Sequence, residues 1–140
     1  MGAHETSDSM LPIAGEDDII NARQFARETA RRLGFGAVDQ SRIATAVSEL
    51  ARNVVRYAID SHGTVVIRGL NDAERGTGVE IVVSDEGPGI ANVEQALGDG
   101  FSSGRGMGMG LPGTRRLMDE MQIDSAPGRG TTVIIRKWRR

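Results

Sequence analysis

The amino-acid sequence predicts a two-layer α/β sandwich, in which a mixed, largely antiparallel sheet carries the helices on one face. Two long segments in the first half of the chain have apolar residues at helical spacing. Short runs of β-branched residues follow, and turns rich in glycine separate them. Because short turns join neighbouring strands as hairpins, we expect antiparallel pairing rather than a doubly wound parallel sheet.

The first helix is predicted from Asp17 to Leu33, with acidic residues at its start and Gly34 at its end. A second helix is predicted from Asp39 to Ala58. The runs Thr64–Ile67 and Val79–Val83 are the next strands, and the glycine-containing turn between them predicts a hairpin.

The last third of the chain is predicted to contain further helices followed by a second hairpin. Residues 93–97 are expected to form one or two helical turns, and a longer helix is predicted from Leu111 to Met121, with Pro112 in its first turn. Gln122–Ser125 and Thr131–Trp138 are predicted to pair as a closing hairpin.

The chain length and composition indicate one globular domain over residues 1–140, with residues 1–12 as a flexible start. The 140 residues include no cysteine, which excludes disulfides and thiolate metal sites. A net charge of −2 offers no general attraction to nucleic acid. No apolar run is long enough for a membrane span, and the polar N-terminus does not resemble a secretory signal, so a cytoplasmic protein is expected.

A run of glycines from Gly104 to Gly113 leads into the third long helix. It is not a P-loop, because no Gly-Lys-Ser/Thr follows, and no strand leads directly into it as the dinucleotide fingerprint requires. Glycine before a helix N-terminus favours an anion such as a phosphate. A flexible loop is the alternative interpretation of this run.

Two further stretches carry candidate binding groups. Glu49 and Asn53 lie four residues apart, on one face of the second helix, where a carboxylate and a carboxamide suit a hydrated Mg²⁺ ion. An ordinary polar flank is the alternative. Asp85 ends a strand and is followed by Gly87 and Gly89, which would let a flat ligand approach the backbone. A plain turn is the alternative there.

Taken together and in this order, these stretches resemble the motifs of the GHKL ATPases, whose members include histidine kinase catalytic domains. Glu49 and Asn53 match the N box, Asp85 with its glycines matches the G1 box, and the run at 106–110 matches the G2 box. Gly128, Gly130 and Thr131 match the last nucleotide-contacting segment. Within the family the chain is most similar to the RsbT-type serine kinases of the stressosome, through stretches such as SELARN, DEGPGI and GLPGTRRLMDE.

The resemblance implies a Bergerat fold, ATP and Mg²⁺ as cofactors, and a role for each matched residue. Asp85 accepts from the adenine amino group, Thr131 lies near the adenine, and Asn53 coordinates the Mg²⁺ ion that bridges the phosphates. Glu49 is the general base for the attacking hydroxyl. The implied nucleotide-binding residues are Asn53, Asp85, Gly87, Gly89, Arg105, Gly106, Gly108, Gly110, Leu111 and Thr131.

Residues 90–105 correspond to a short lid over ATP. Arg105 lies within reach of the γ-phosphate in this interpretation, although the sequence does not determine its direction. Ser102 and Ser103 are lid residues, and we do not expect autophosphorylation there.

The resemblance implies an ATP-dependent protein serine kinase that phosphorylates a STAS-domain antagonist and, once released, activates a downstream phosphatase. A homodimer is one further expectation. The alternative is a nucleotide-gated binding module, similar to an anti-sigma factor, with little kinase activity. A histidine kinase fragment would need a phosphoacceptor histidine on a helix, and neither His4 nor His62 lies on a predicted helix.

Overall fold

A computed structural model describes residues 9–57, 62–86 and 111–140. In chain order the elements are β1 (Ser9–Ile13), α1 (Glu16–Arg32), α2 (Ala37–Tyr57), β2 (Gly63–Asp72), β3 (Gly76–Asp85), α3 (Leu111–Leu117), β4 (Glu120–Ser125) and β5 (Thr131–Trp138). None of the helices in these ranges is both long enough and apolar enough to cross a bilayer.

The strands form one five-stranded sheet in the spatial order β1-β2-β3-β5-β4. Each of these pairings is antiparallel. β3 therefore lies at the centre, between β2 and β5. Its register places Asp85 opposite Thr131, and Val83 opposite Val133. The ends of β3 and β5 thus bring two predicted site residues side by side.

Helices α1 and α2 pack against each other and cover one face of the sheet. Alternate residues of the central strands point into this layer, as the period of two requires. The core combines these side chains with the apolar stripe of α2. Its largest fully buried members are Ile13, Ile43, Val47, Leu50, Val65, Ile67, Val79, Ile81, Leu111 and Ile135. The predicted sandwich with helices on one face is confirmed.

On the other face of the sheet, charged side chains form a row across four strands. Arg68 and Arg136 each donate to the carboxylate of Glu80 at 2.8 Å, and Glu80 is buried. Arg136 also donates to Glu120 at 3.1 Å. This alternation of cations and anions pairs the buried carboxylate of Glu80.

Glu120 is the acceptor at the end of this row. The indole Nε1 of Trp138 donates to its Oε2 at 3.0 Å, and Arg75 also contacts that oxygen. The hydrogen bond from Trp138 holds the pKa of Glu120 below its ordinary value, helped by Arg136 and Arg75 and partly opposed by burial. The hydrogen bond between Trp138 and Glu120 links β4 to the end of β5.

The first two helices lie within two residues of their predicted bounds, and β2 and β3 are longer than predicted. The boundary between α3 and β4 also differs from the sequence prediction. The helix expected to reach Met121 ends at Leu117. The Leu117 carbonyl accepts from Lys137 Nζ at 3.1 Å, and the Asp119 N–H donates to the Arg136 carbonyl at 3.0 Å. These two contacts draw the chain into the sheet, so β4 begins at Glu120 rather than Gln122.

The strand β1 is absent from the sequence prediction, which placed residues 1–12 in a flexible start. Its five residues pair with β2, from Ser9 opposite Ile67 to Ile13 opposite Gly63. Pro12 is compatible with this position because β1 is an edge strand. A segment this short gives little periodicity to detect.

Candidate nucleotide-binding site

A pocket lies between α2, the ends of β3 and β5, and the start of α3. Four of the predicted site residues line it, namely Asn53, Asp85, Leu111 and Thr131. The other lining residues are apolar and come from the same elements: Leu50, Val54, Val83 and Val133. Residues separated by up to 83 positions in the sequence therefore meet at one place, Leu50 and Val133 being the extremes.

Asn53 provides the polar group on the helical wall. It is 9% exposed, and it follows Leu50 by three residues and precedes Val54. Helical spacing therefore puts all three side chains on the pocket side of α2. An amide oxygen at the edge of an apolar wall is a suitable ligand for a hard cation.

Asp85 and Thr131 provide the polar groups on the sheet wall, since they are register partners at the ends of β3 and β5. Thr131 is buried, and its Oγ1 lies 2.8 Å from Ser125 Oγ. Ser125 Oγ also lies within 3.0 Å of the Gly130 carbonyl, to which it donates. Because that hydrogen bond uses the single hydroxyl hydrogen of Ser125, Thr131 Oγ1 is the donor in the contact between the two hydroxyls. The lone pairs of Thr131 then remain for the pocket.

Gly130 explains how the chain reaches this geometry. Its φ of +78° lies in the left-handed region, which residues with a side chain rarely adopt. A Cβ at this position would overlap the carbonyl oxygen of Asp85. The glycine therefore lets the β4–β5 turn pass directly beside the backbone of Asp85.

Glu49 lies one helical turn before Asn53 and does not line the pocket. Its carboxylate accepts from Arg52 Nη1 at 3.0 Å, and 38% of its side chain is exposed. The structure thus places the predicted base one helical turn from a pocket-lining residue, with its carboxylate partly exposed to solvent. A carboxylate in this position is accessible to a hydroxyl group that another protein presents.

The pocket is small, with a cavity of about 20 Å³, roughly the space of one water molecule. An adenine ring is larger, so nucleotide binding requires these walls to separate or the site to extend past them. The residue types fit the cofactors that the resemblance implies. A carboxylate and a hydroxyl suit the base, and an amide oxygen suits Mg²⁺.

The remaining predicted site residues lie outside the described residues. They are Gly87, Gly89, Arg105, Gly106, Gly108 and Gly110, together with the helical turns at 93–97, Ser102, Ser103 and the rest of the lid at 90–105. Their roles stay predictions. Within the described ranges, no group of three or more His, Asp or Glu side chains is arranged to hold a metal ion.

Sequence reasoning missed several residues that shape the pocket. The apolar lining residues were predicted only as parts of helix or strand faces. Leu50 lies at helical spacing from Asn53, and Val83 lies two residues before Asp85, so these spacings indicate the same pocket. Ser125 and Arg52, which contact Thr131 and Glu49, were missed as well. Arg52 lies three residues after Glu49, so an ion pair within one helical turn was the available signal.

Comparisons with known proteins identify the family of this chain. Residues 14–137 match the family of histidine kinase-like ATPase domains. The serine/threonine-protein kinase RsbT of Bacillus subtilis (strain 168) is 47% identical over 133 residues, which is 94% of this chain and 97% of that protein. An anti-sigma F factor of Caldanaerobacter subterraneus subsp. tengcongensis is 35% identical over 100 residues, or 69% of this chain and 68% of that protein.

Among solved structures, the catalytic domain of the histidine kinase ThkA superposes with a TM-score of 0.55 at 16% identity, covering 94% of this chain and 97% of that one. At this identity the similarity concerns the fold. The motif-based resemblance is confirmed, and the chain belongs to the family of histidine kinase-like ATPase domains, the GHKL ATPases.

Proposed function

We propose that this chain is an ATP-dependent protein serine kinase that acts as a partner-switching regulator. One observation carries the proposal: Asn53, Asp85, Leu111 and Thr131 converge on one pocket, and Glu49 lies one helical turn before Asn53. The 47% identity to a serine/threonine-protein kinase over nearly both whole chains supports it.

The pocket residues bind and orient the nucleotide in this proposal. The Asp85 carboxylate accepts from the exocyclic amino group of adenine, and Thr131 lies beside it. The Asn53 amide oxygen is a ligand of Mg²⁺, which when bound neutralises phosphate charge. Since phosphoryl transfer depends on positioning and charge neutralisation, these residues supply most of what catalysis needs.

Glu49 handles the proton of the acceptor. The serine oxygen attacks the γ-phosphorus, the bond from that phosphorus to the β–γ bridging oxygen breaks, and ADP leaves. The hydroxyl proton passes to the Glu49 carboxylate and then to water. A positioned base of this kind contributes about 10²–10⁴-fold to the rate.

We further propose that the substrate is a small STAS-domain antagonist, and that its phosphorylation ends the complex. The new phosphoserine carries a charge of about −1.5 to −2 and would lie beside the Glu49 carboxylate, so like charges repel. About 1.4 kcal/mol of repulsion lowers affinity tenfold. The released kinase then activates a downstream phosphatase through the freed surface, in the cytoplasm.

The test mixes the purified chain with a purified STAS-domain protein and measures binding by calorimetry and serine phosphorylation by mass spectrometry, before and after MgATP. We expect binding before ATP, phosphorylation with it, and at least tenfold weaker binding afterwards. Glu49→Gln should bind both ATP and partner while its phosphorylation rate falls by about two orders of magnitude. Tight binding that survives complete phosphorylation would refute the switch.

The second candidate is a nucleotide-gated binding module with little kinase activity. It is favoured by the 35% identity to an anti-sigma F factor over 100 residues. The two candidates separate at Glu49, because holding a partner requires no base. If Glu49→Gln leaves the affinity for the partner unchanged and the wild type transfers no phosphate, the chain is a binding module.

A further inference from the structure

A groove of about 410 Å³ runs along the exposed side of α2, outside the nucleotide pocket. Its walls are the first half of α2 and the C-terminal end of α3, which pack against each other. We name it the α2–α3 groove, and its lining residues are Ala37, Val38, Ser41, Arg42, Thr45 and Leu117. None of the nucleotide-pocket residues belongs to it.

The groove presents apolar surface that the described part of the fold does not cover. Val38 is 64% exposed although it is a large aliphatic residue in the first turn of α2. Leu117, across the groove, is only partly buried. Exposed aliphatic side chains beside a concave surface mark a contact site more often than isolated ones do.

The charges around the groove are basic. Arg42 lines it, and Arg115 and Arg116 are exposed in the last turn of α3. On the α1 side, Arg27 donates to Ser41 Oγ at 3.3 Å. The acid within the first turn of α2 is Asp39, which accepts from Arg42 at 3.0 Å and lies 3.8 Å from Lys137 Nζ. Asp119, two residues after Leu117, lies 3.8 Å from the same Lys137 Nζ. These two acids stand against four cations, Arg27, Arg42, Arg115 and Lys137, so the groove favours an acidic ligand.

The groove leads to the predicted base. Val38, Arg42, Thr45 and Glu49 follow one another at spacings of four, three and four residues, so they share one face of α2. From Val38 to Glu49 the helix advances about 16 Å. A protein domain seated in the groove would therefore extend along α2 to Glu49.

We propose that the α2–α3 groove is the docking surface for the protein substrate, which inserts an apolar side chain flanked by acidic residues. The proposal rests on the proposed kinase function and names how the substrate is recognised. Docking away from the pocket lets the enzyme select a protein by a surface other than the serine itself.

The test compares Val38→Glu with Ile20→Glu. Ile20 is 46% exposed on α1, so the control exchanges one exposed aliphatic residue for the same acid away from the groove. Val38→Glu places an acid in the first turn of α2, where negative charge is compatible with the helix dipole, and Ile20→Glu places one in the second turn of α1. Wild type and variants are assayed with the purified STAS-domain protein, by calorimetry and by phosphorylation rate.

For Val38→Glu we expect at least a tenfold rise in the KM for the protein substrate and a matching loss of binding. ATP affinity and the kcat at saturating substrate should be unchanged. Ile20→Glu should behave as wild type. Arg42→Gln should weaken substrate binding and reduce the dependence of binding on salt concentration.

The outcomes separate the two proposals. If wild type and Val38→Glu phosphorylate the substrate with equal KM, the groove assignment is wrong and the kinase function stands. If the wild type neither binds nor phosphorylates the substrate, the kinase function fails, and the groove assignment fails with it. If Val38→Glu instead turns a wild-type dimer into a monomer in sedimentation, with KM unchanged, a second copy occupies the groove and the docking proposal is overturned.

Discussion

Asp85 and Glu86 are adjacent acidic residues that lie in different surroundings. Asp85 lines the pocket, whereas Glu86 is exposed just after β3. Asp85→Asn replaces an acceptor with a group whose NH₂ can face the adenine amino group. A hydrogen bond to a charged group contributes about 1.5–3 kcal/mol, so ATP affinity should fall about tenfold or more. Calorimetry measures this, with Glu86→Gln as the matched control; equal affinity in Asp85→Asn would remove the adenine assignment.

Asn53 is expected to act through the metal ion. Asn53→Ala removes the amide oxygen from the helical wall of the pocket. Nucleotide affinity should drop in Mg²⁺ and change little in EDTA, because the lost contact is to the cation. Titrations in both buffers measure the difference, and thermal unfolding confirms that the buried site tolerates the change. Equal losses in both buffers would contradict a metal role.

At the scale of the element, the β4–β5 turn offers a matched pair of glycines. Gly128 and Gly130 have nearly the same positive φ, +79° and +78°. A Cβ at Gly128 meets nothing within 4 Å, whereas one at Gly130 overlaps the backbone of Asp85. Alanine at either position incurs the backbone strain of roughly 1 kcal/mol. Only Gly130→Ala should also displace Asp85.

Gly130→Ala should therefore unfold at lower urea concentration than Gly128→Ala and should lose ATP affinity, which Gly128→Ala should keep. Urea titration followed by the fluorescence of Trp138, the single tryptophan, measures stability. Equal stability and equal ATP affinity in the two variants would show that the close approach to Asp85 does not matter.

The edge strand β4 depends on pH through Glu120. The folded pKa of Glu120 lies below its unfolded value because Trp138, and then Arg136 and Arg75, stabilise the carboxylate. The contribution of Glu120 to the free energy of unfolding is therefore present above its unfolded pKa of about 4.3. This contribution is lost as the pH falls through the lower folded pKa. Wild type should be more stable than Glu120→Gln in urea at pH 7, and the difference should shrink below pH 4. A difference that grows on acidification would contradict the sign.

For the molecule as a whole, the pocket connects elements from both layers. Asn53 comes from α2, Asp85 from β3, and Thr131 from β5. A ligand that binds only the folded state stabilises it by about 2.7 kcal/mol at a concentration of 100 times its Kd. MgATP should therefore shift urea unfolding of the wild type, and at the same MgATP concentration the shift should fall to about half or less in Asp85→Asn. An equal shift in both proteins would mean that ATP binds elsewhere.

The sequence alone determined the type of layer, and it predicted the site residues. Helical spacing in α1 and α2 and the short strands reflect local chemistry, since a helix or strand must bury one face whatever its neighbours are. The family motifs predicted Glu49, Asn53, Asp85 and Thr131, because the resemblance is carried by those residue types in that order along the chain. Neither kind of signal depends on distant contacts.

The tertiary structure decided where these residues meet and where elements end. Antiparallel register pairs Asp85 with Thr131, and Gly130 permits their approach, neither of which is visible in local spacing. Helix α3 ends at Leu117 because the Leu117 carbonyl accepts a hydrogen bond from Lys137, which lies twenty residues later in the chain. β1 forms because β2 offers an open edge. Such features depend on contacts between residues far apart in the chain, and those contacts exist only once the sheet has formed.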